Sequence, residues 1–196
     1  MKIESGTGNG LYAGVDEENR LMVTSVTVPL QHEASKEHFK AFQVWGEATL
    51  ANGTVTPLII TNSSTTETAN VTYMRFEVID PAGGTALPNA SNYVQFGTDV
   101  SYSTGGTAKT PVNMYLGSNT LSNVTCYEGS PTLTGTLTAF DREYVKGEGE
   151  MSRYSKEGSL VVPPGQSVAV QYTGDHTSGK IYARVSFFMT PIGELT

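Results

Sequence analysis

In several stretches of this chain apolar residues recur at every second position, the period of an extended strand whose side chains point alternately to two faces. In VTYMRFEVID, Met74, Phe76 and Val78 share one face, with Arg75 and Glu77 on the other. KIYARVSFFM repeats the pattern: Ile181, Ala183, Val185, Phe187 and Met189 oppose Tyr182, Arg184 and Ser186, with Phe188 intruding on the polar side. In QSVAVQYT, Val168, Val170 and Tyr172 alternate with Ser167, Ala169 and Gln171. In TLTGTLTAF, Leu133, Leu137 and Ala139 alternate with threonines.

Turn signals punctuate these strands at short spacing. They include Asp80-Pro81-Ala82-Gly83-Gly84, Gly105-Gly106, Gly117-Ser118-Asn119, Gly129-Ser130-Pro131, Pro163-Pro164-Gly165 and Thr177-Ser178-Gly179. Many short strands joined by such turns predict an all-β antiparallel sandwich, with a jelly-roll-like Greek key as the expected topology. The composition agrees: 21 Gly, 16% charged residues and abundant Thr, Ser and Asn suit strands with polar outer faces and exclude a helical bundle. A chain of 196 residues buries about 70% of its unfolded surface, enough for one core without disulfides, which the single Cys126 could not form within the chain. The expected organisation is an arm over residues 1–28, Gly-rich as far as Gly14, and one sandwich domain over residues 29–196, with a helical turn in QHEASKEHFK, Gln31 to Lys40.

A net charge of −7 with no dense run among the 12 Lys and Arg argues against a nucleic-acid surface. No stretch approaches the ~18 consecutive apolar residues of a membrane helix, and no apolar region follows Lys2 as a secretory signal would require, so a cytoplasmic, soluble product is expected. The Asn-x-Ser/Thr triplets at Asn52, Asn62, Asn70, Asn89 and Asn123 are then compositional rather than glycosylation acceptors.

Groups that carry chemistry are sparse. His32 and His38 are six apart, where a metal-binding helix places two histidines four apart on one face. Asp16-Glu17-Glu18-Asn19 lacks the alternating ligands and central Gly of a calcium loop. Gly6-Thr7-Gly8-Asn9-Gly10 follows no strand and precedes no Lys-Ser/Thr, unlike a phosphate cradle. Cys126 shares its face with Val124 and reads as a small core residue, and no Gly-x-Ser-x-Gly elbow is present. His176, in GDHTSG, reads as an exposed turn residue. Asp141, Glu143, Glu148 and Glu150 are close together in the chain and motivate a carbohydrate-active enzyme as one reading, although GEGE suggests a mobile loop. No metal, cofactor or catalytic residue is expected.

One segment, VDEENRLMVTSVTVP from Val15 to Pro29, resembles a motif near the amino end of virion structural proteins of tailed bacteriophages, matching at Val15, Asp16, Asn19, Arg20, Leu21, Val23, Ser25, Val26 and Thr27. FQVWGEATLANGTVTPLIITNSS looks like the first core strands of those proteins, and GSLVVPPGQSVAVQYT, Gly158 to Thr173, is similar to their strand, Pro-Pro-Gly, strand pattern. The two pieces cover about half of the chain. The resemblance implies a non-enzymatic β-sandwich on the virion: a capsid decoration (cement) protein, expected as a homotrimer bound to the major capsid protein on the capsid surface after assembly in the host cytoplasm, or a neck or tail accessory.

Apolar residues on both sides of Leu21-Met22-Val23 suit an arm held between two surfaces, for instance by adding to a neighbour's sheet edge, and equally suit an ordinary amino-terminal strand of the chain's own sandwich. The expected partner-binding residues are Val15, Asp16, Asn19, Arg20, Leu21 and Val23. In the alternative neck or tail role, loops carrying Tyr93, Tyr102 and Tyr154 would contact host glycans.

Overall fold

Each alternating stretch forms a strand, and four of the turn signals fall between strands, while Asp80 to Ala82 end one strand and Ser178-Gly179 open another. The computed structural model of the chain describes residues 14–15, 21–22, 40–147 and 151–192, with residues 14, 15, 21, 22 and 151–159 described by backbone alone. Its strands are β1 (Gly14–Val15), β2 (Leu21–Met22), β3 (Ala41–Thr49), β4 (Gly53–Asn62), β5 (Glu67–Ala82), β6 (Tyr93–Thr104) and β7 (Thr107–Lys109). They continue with β8 (Val112–Asn113), β9 (Val124–Glu128), β10 (Thr132–Tyr144), β11 (Met151–Val162), β12 (Ser167–Gly174) and β13 (Ser178–Pro191). Among the described residues there is no helix.

Two antiparallel sheets pack face to face. One has six strands in the order β10-β6-β12-β4-β9-β7, the other five in the order β11-β5-β13-β3-β8. From β3 to β6 and again from β10 to β13, successive strands lie in opposite sheets, so the chain crosses the sandwich at each of those loops. The inward phases of both sheets form the core. Phe42, Met74, Phe76, Leu58, Phe96 and Tyr172 are all buried there. Phe76 of β5 meets Phe96 of β6 across the layers with ring centroids 6.1 Å apart, and Phe42 stacks on its cross-strand neighbour Phe187 at 5.7 Å.

The six-stranded sheet is also covered on part of its outer side. In β6 the even positions Val94 and Phe96 belong to the inner core, but Val100 and Tyr102 join a separate outer cluster with Ile59 and Ala169. The cause is a β-bulge: Asp99 has φ 65°, Gly135 on the partner strand has φ 94°, and the register slips between Gly135 and Thr138. Thr136 and Leu137 of β10 stand against Asp99 alone, and the left-handed backbone angle of Asp99 reverses the alternation along β6. A Cβ at Gly135 would lie 2.4 Å from the carbonyl oxygen of Asp99, so this position requires glycine for space as well as backbone angle.

The sequence reading fails in detail where local phase is overridden. Phe188, assigned to the polar side, is buried against Ala41. Ala139, assigned to the apolar side of β10, is exposed, while Leu133 and Leu137 pack on the outer cluster. Of the arm, β1 and β2 pair with each other, Val15 opposite Leu21 and Gly14 opposite Met22. Among the described residues, the first strand of the sandwich is β3, from Ala41. Residues 31–39 of the expected helical turn lie outside the described residues.

Candidate functional site

On the flank of the five-stranded sheet, β8 contributes only two residues beside β3, opposite Phe42 and Gln43. From Val112 in β8 onward, the chain leading to β9 turns apolar side chains to solvent. Leu116 is 89% exposed, Leu121 74%, Val112 61%, Met114 52% and Tyr115 45%. The shape of this loop is set by polar groups rather than by apolar packing. Asn113 Nδ2 donates to the carbonyl of Thr120 at 3.1 Å, and its Oδ1 accepts the Tyr115 N–H at 2.9 Å. Ser118 Oγ accepts the Thr120 N–H at 3.1 Å, and Met114 N–H donates to the carbonyl of Ala41 at 2.8 Å, fastening the loop to β3. Five exposed apolar residues thus fall within ten positions, on a loop with specified hydrogen bonds.

At the opposite end of the sandwich a polar network joins three loops. Asn92 and His176 are both buried, as is Tyr172. Tyr172 Oη donates to Asn92 Oδ1 at 2.9 Å and lies 2.8 Å from His176 Nδ1; Asn92 Oδ1 also accepts the Asp175 N–H at 3.0 Å. With the single Tyr172 proton given to Asn92, the histidine must donate from Nδ1. The carbonyl of Asn92 accepts the Val145 N–H at 2.9 Å, tying in the chain after β10. Asp175 Oδ2 accepts from both the hydroxyl and the N–H of Thr85. A Cβ on Gly174 would come within 2.1 Å of both Asn92 Oδ1 and Tyr172 Oη.

The electrostatics of this network favour a clamp. Burial, reinforced by the Asp175 charge, pushes the Tyr172 phenol up to about 12, so it holds its proton and makes a poor nucleophile. The Asp175 carboxyl is held down to about 2, first by the Thr85 hydroxyl and then by Asn92. His176 was expected at the surface of a turn; instead GDHTSG folds back over the sandwich end and Tyr172, four residues earlier, takes up the ring. The His, Asp and Tyr therefore meet, with their polar atoms turned toward each other.

The other candidate residues are dispersed. Val15 and Leu21 are cross-strand partners, whereas Asp16, Asn19, Arg20 and Val23 lie outside the described residues, as do His32, His38, Glu148, Glu150 and the side chain of Tyr154. Asp141 and Glu143 sit on β10, where Glu143 bonds Lys146 at 3.2 Å and Asp141 Oδ1 accepts the Arg142 N–H at 2.9 Å. Tyr93 packs edge-on to Tyr144 beneath the Arg142 guanidinium, and Tyr102 stacks flat on Tyr127 with centroids 3.5 Å apart. Both rings are engaged within the sheet. Cys126 lies in the core, and burial pushes its thiol up to about 12. Asn62 and Asn70 are buried, so neither could carry a glycan. No group of three or more His, Cys, Asp or Glu among the described residues is placed to hold a metal.

Sequence reading missed the apolar loop, although NMYLGSNTL has an unusual apolar share for a Gly- and Asn-rich connection. It also missed the clamp, whose members Asn92 and Tyr172 are 80 residues apart in the chain. The chain matches no protein-family model and no curated protein sequence.

Proposed function

We propose that this chain is a non-enzymatic virion structural protein of a tailed bacteriophage, a capsid decoration (cement) protein that binds the major capsid protein shell as a homotrimer and stabilises the head. The observation that carries this reading is the apolar loop from Val112 to Leu121, a surface suited to burial against another protein. The resemblance of Val15 to Pro29 to phage virion proteins supports the choice of partner. The strand order supports a jelly roll: β3-β13-β5-β11 and β4-β12-β6-β10 are the nested orders obtained when an eight-stranded hairpin is rolled into two sheets. In a trimer, three modest contacts raise one another's effective concentration, so that a shell site can be held without one tight interface.

The test uses purified undecorated heads. Full-length protein is expected to saturate them with hundreds of copies, while the 1–28 deletion and the double change Leu116→Asp, Leu121→Asp are each expected to lower occupancy sharply. Full occupancy by both variants would sink the reading. Native particles carrying a dozen copies or fewer would favour a neck or tail position.

A further inference from the structure

The open face of the five-stranded sheet carries an arrangement visible only in the register. Trp45 of β3 lies opposite Arg184 of β13, Arg184 opposite Arg75 of β5, and Arg75 opposite Arg153 of β11. Three of the chain's five arginines thus fall in one row, in a protein whose net charge is −7. Arg75 and Arg184 alternate with buried core residues on their strands, so both face outward. Like charges directly opposite one another across strands are destabilising unless an anion or acidic side chain intervenes. Glu77 neutralises part of the row, accepting from Arg75 Nη2 at 2.8 Å. Arg184 is exposed and has no acidic partner among the described residues. The nearby Glu47 is committed to Lys180 Nζ at 2.7 Å and to Tyr182.

Beside this cation stands a fixed aromatic platform. Trp45 is 47% exposed although it occupies a sheet position, and Lys109 Nζ sits 4.0 Å from its ring centroid. Lys109 is itself anchored to Glu128 Oε1 at 3.0 Å, which holds the indole in place. Trp45, Tyr182, Arg184, Arg75 and Glu77 line one shallow cleft. In the next row, Gln43 Nε2 donates to Ser186 Oγ at 3.0 Å, presenting a polar pair to the same face.

We propose that this cleft binds an acidic oligosaccharide, with one pyranose ring against Trp45 and its carboxylate on Arg184 beside Arg75. The electron-rich indole face attracts the C–H side of a pyranose, and the planar guanidinium fork matches a carboxylate in two parallel hydrogen bonds. The carboxylate meets Arg184 on a solvent-exposed face, so binding weakens as salt rises. The cleft lies on the five-stranded sheet, whereas Tyr93 and Tyr102 belong to β6 of the other sheet, and it does not depend on where the protein sits in a particle.

The experiment is calorimetric titration of the full chain with two defined probes, a hyaluronan decasaccharide and an α2,8-linked polysialic acid, at low and high salt. Carboxyl-reduced hyaluronan and poly-glutamate are the controls. At least one acidic glycan is expected to bind with salt-dependent affinity, and both controls are expected to bind much more weakly. Arg184→Gln and Trp45→Ala should each lower affinity about tenfold or more. Arg142→Gln, on the other sheet, should leave it unchanged. Urea unfolding of each variant separates a binding loss from a folding loss. No binding of either glycan, equal binding of either control, or wild-type affinity in folded Arg184→Gln would overturn the proposal.

Discussion

Tyr172 Oη gives its proton to Asn92 Oδ1 across 2.9 Å at a sandwich end where both residues are buried. Because that same amide oxygen also accepts the Asp175 N–H, one side-chain group ties the β12–β13 turn to the start of β6. Tyr172→Phe removes a donor from Asn92 and an acceptor from His176 without opening a cavity. It is expected to cost about 1–3 kcal/mol in urea unfolding at neutral pH. Gly174→Ala, whose Cβ would collide with both partners, should cost more than Tyr172→Phe; equal or greater stability of either variant would contradict the clamp.

Asp175 makes the clamp acid-sensitive. Its carboxyl, ordinarily near 3.8, is held down to about 2 in the folded chain, chiefly by the Thr85 hydroxyl. A depressed folded value means that the stabilisation is fully present above the unfolded value and is lost as pH falls through the folded one. Unfolding midpoints should therefore drop between about pH 4 and pH 2. In Asp175→Asn, the fall over this window should be shallower than in the native sequence. Parallel curves would show that Asp175 does not contribute.

The β6–β10 bulge is expected to tolerate no side chain at Gly135. With φ 94° and the Asp99 carbonyl 2.4 Å from an added Cβ, Gly135→Ala should destabilise by about 1–3 kcal/mol, measured by thermal melting. Gly117, also at positive φ but with open space around its Cβ position, should show a smaller loss on the same change.

Cys126 should be chemically silent in the native protein. Its thiol, pushed up to about 12 by burial, supplies almost no thiolate at neutral pH. A disulfide reagent is expected to label it only as the chain unfolds, with the label tracking the urea transition seen by fluorescence. Rapid labelling of the folded state would place the residue outside the core.

In the inner core, Phe187→Ala removes the stacked partner of Phe42 and a fully buried ring, an expected loss of about 3–5 kcal/mol. Leu116→Asp, on the exposed loop, should leave the melting temperature nearly unchanged, because no packed contact is lost. A large drop for Leu116→Asp would mean that the loop is part of the core rather than a docking surface.

The sequence by itself determined four of the strands, within β5, β10, β12 and β13, and most of their phase. Met74, Phe76 and Val78, and Ile181 through Met189 at alternate positions, are buried as their period requires, because side-chain direction in a strand is a local property of the backbone. Only the tertiary structure decided what lies beside what. The Asp99 bulge turned Val100 and Tyr102 to the outer face, GDHTSG folded His176 onto Tyr172, and sheet register brought Trp45, Arg184 and Arg75 into one row. Those outcomes depend on pairings between residues far apart in the chain, where one inserted residue or one shift of register reverses the facing of every side chain beyond it.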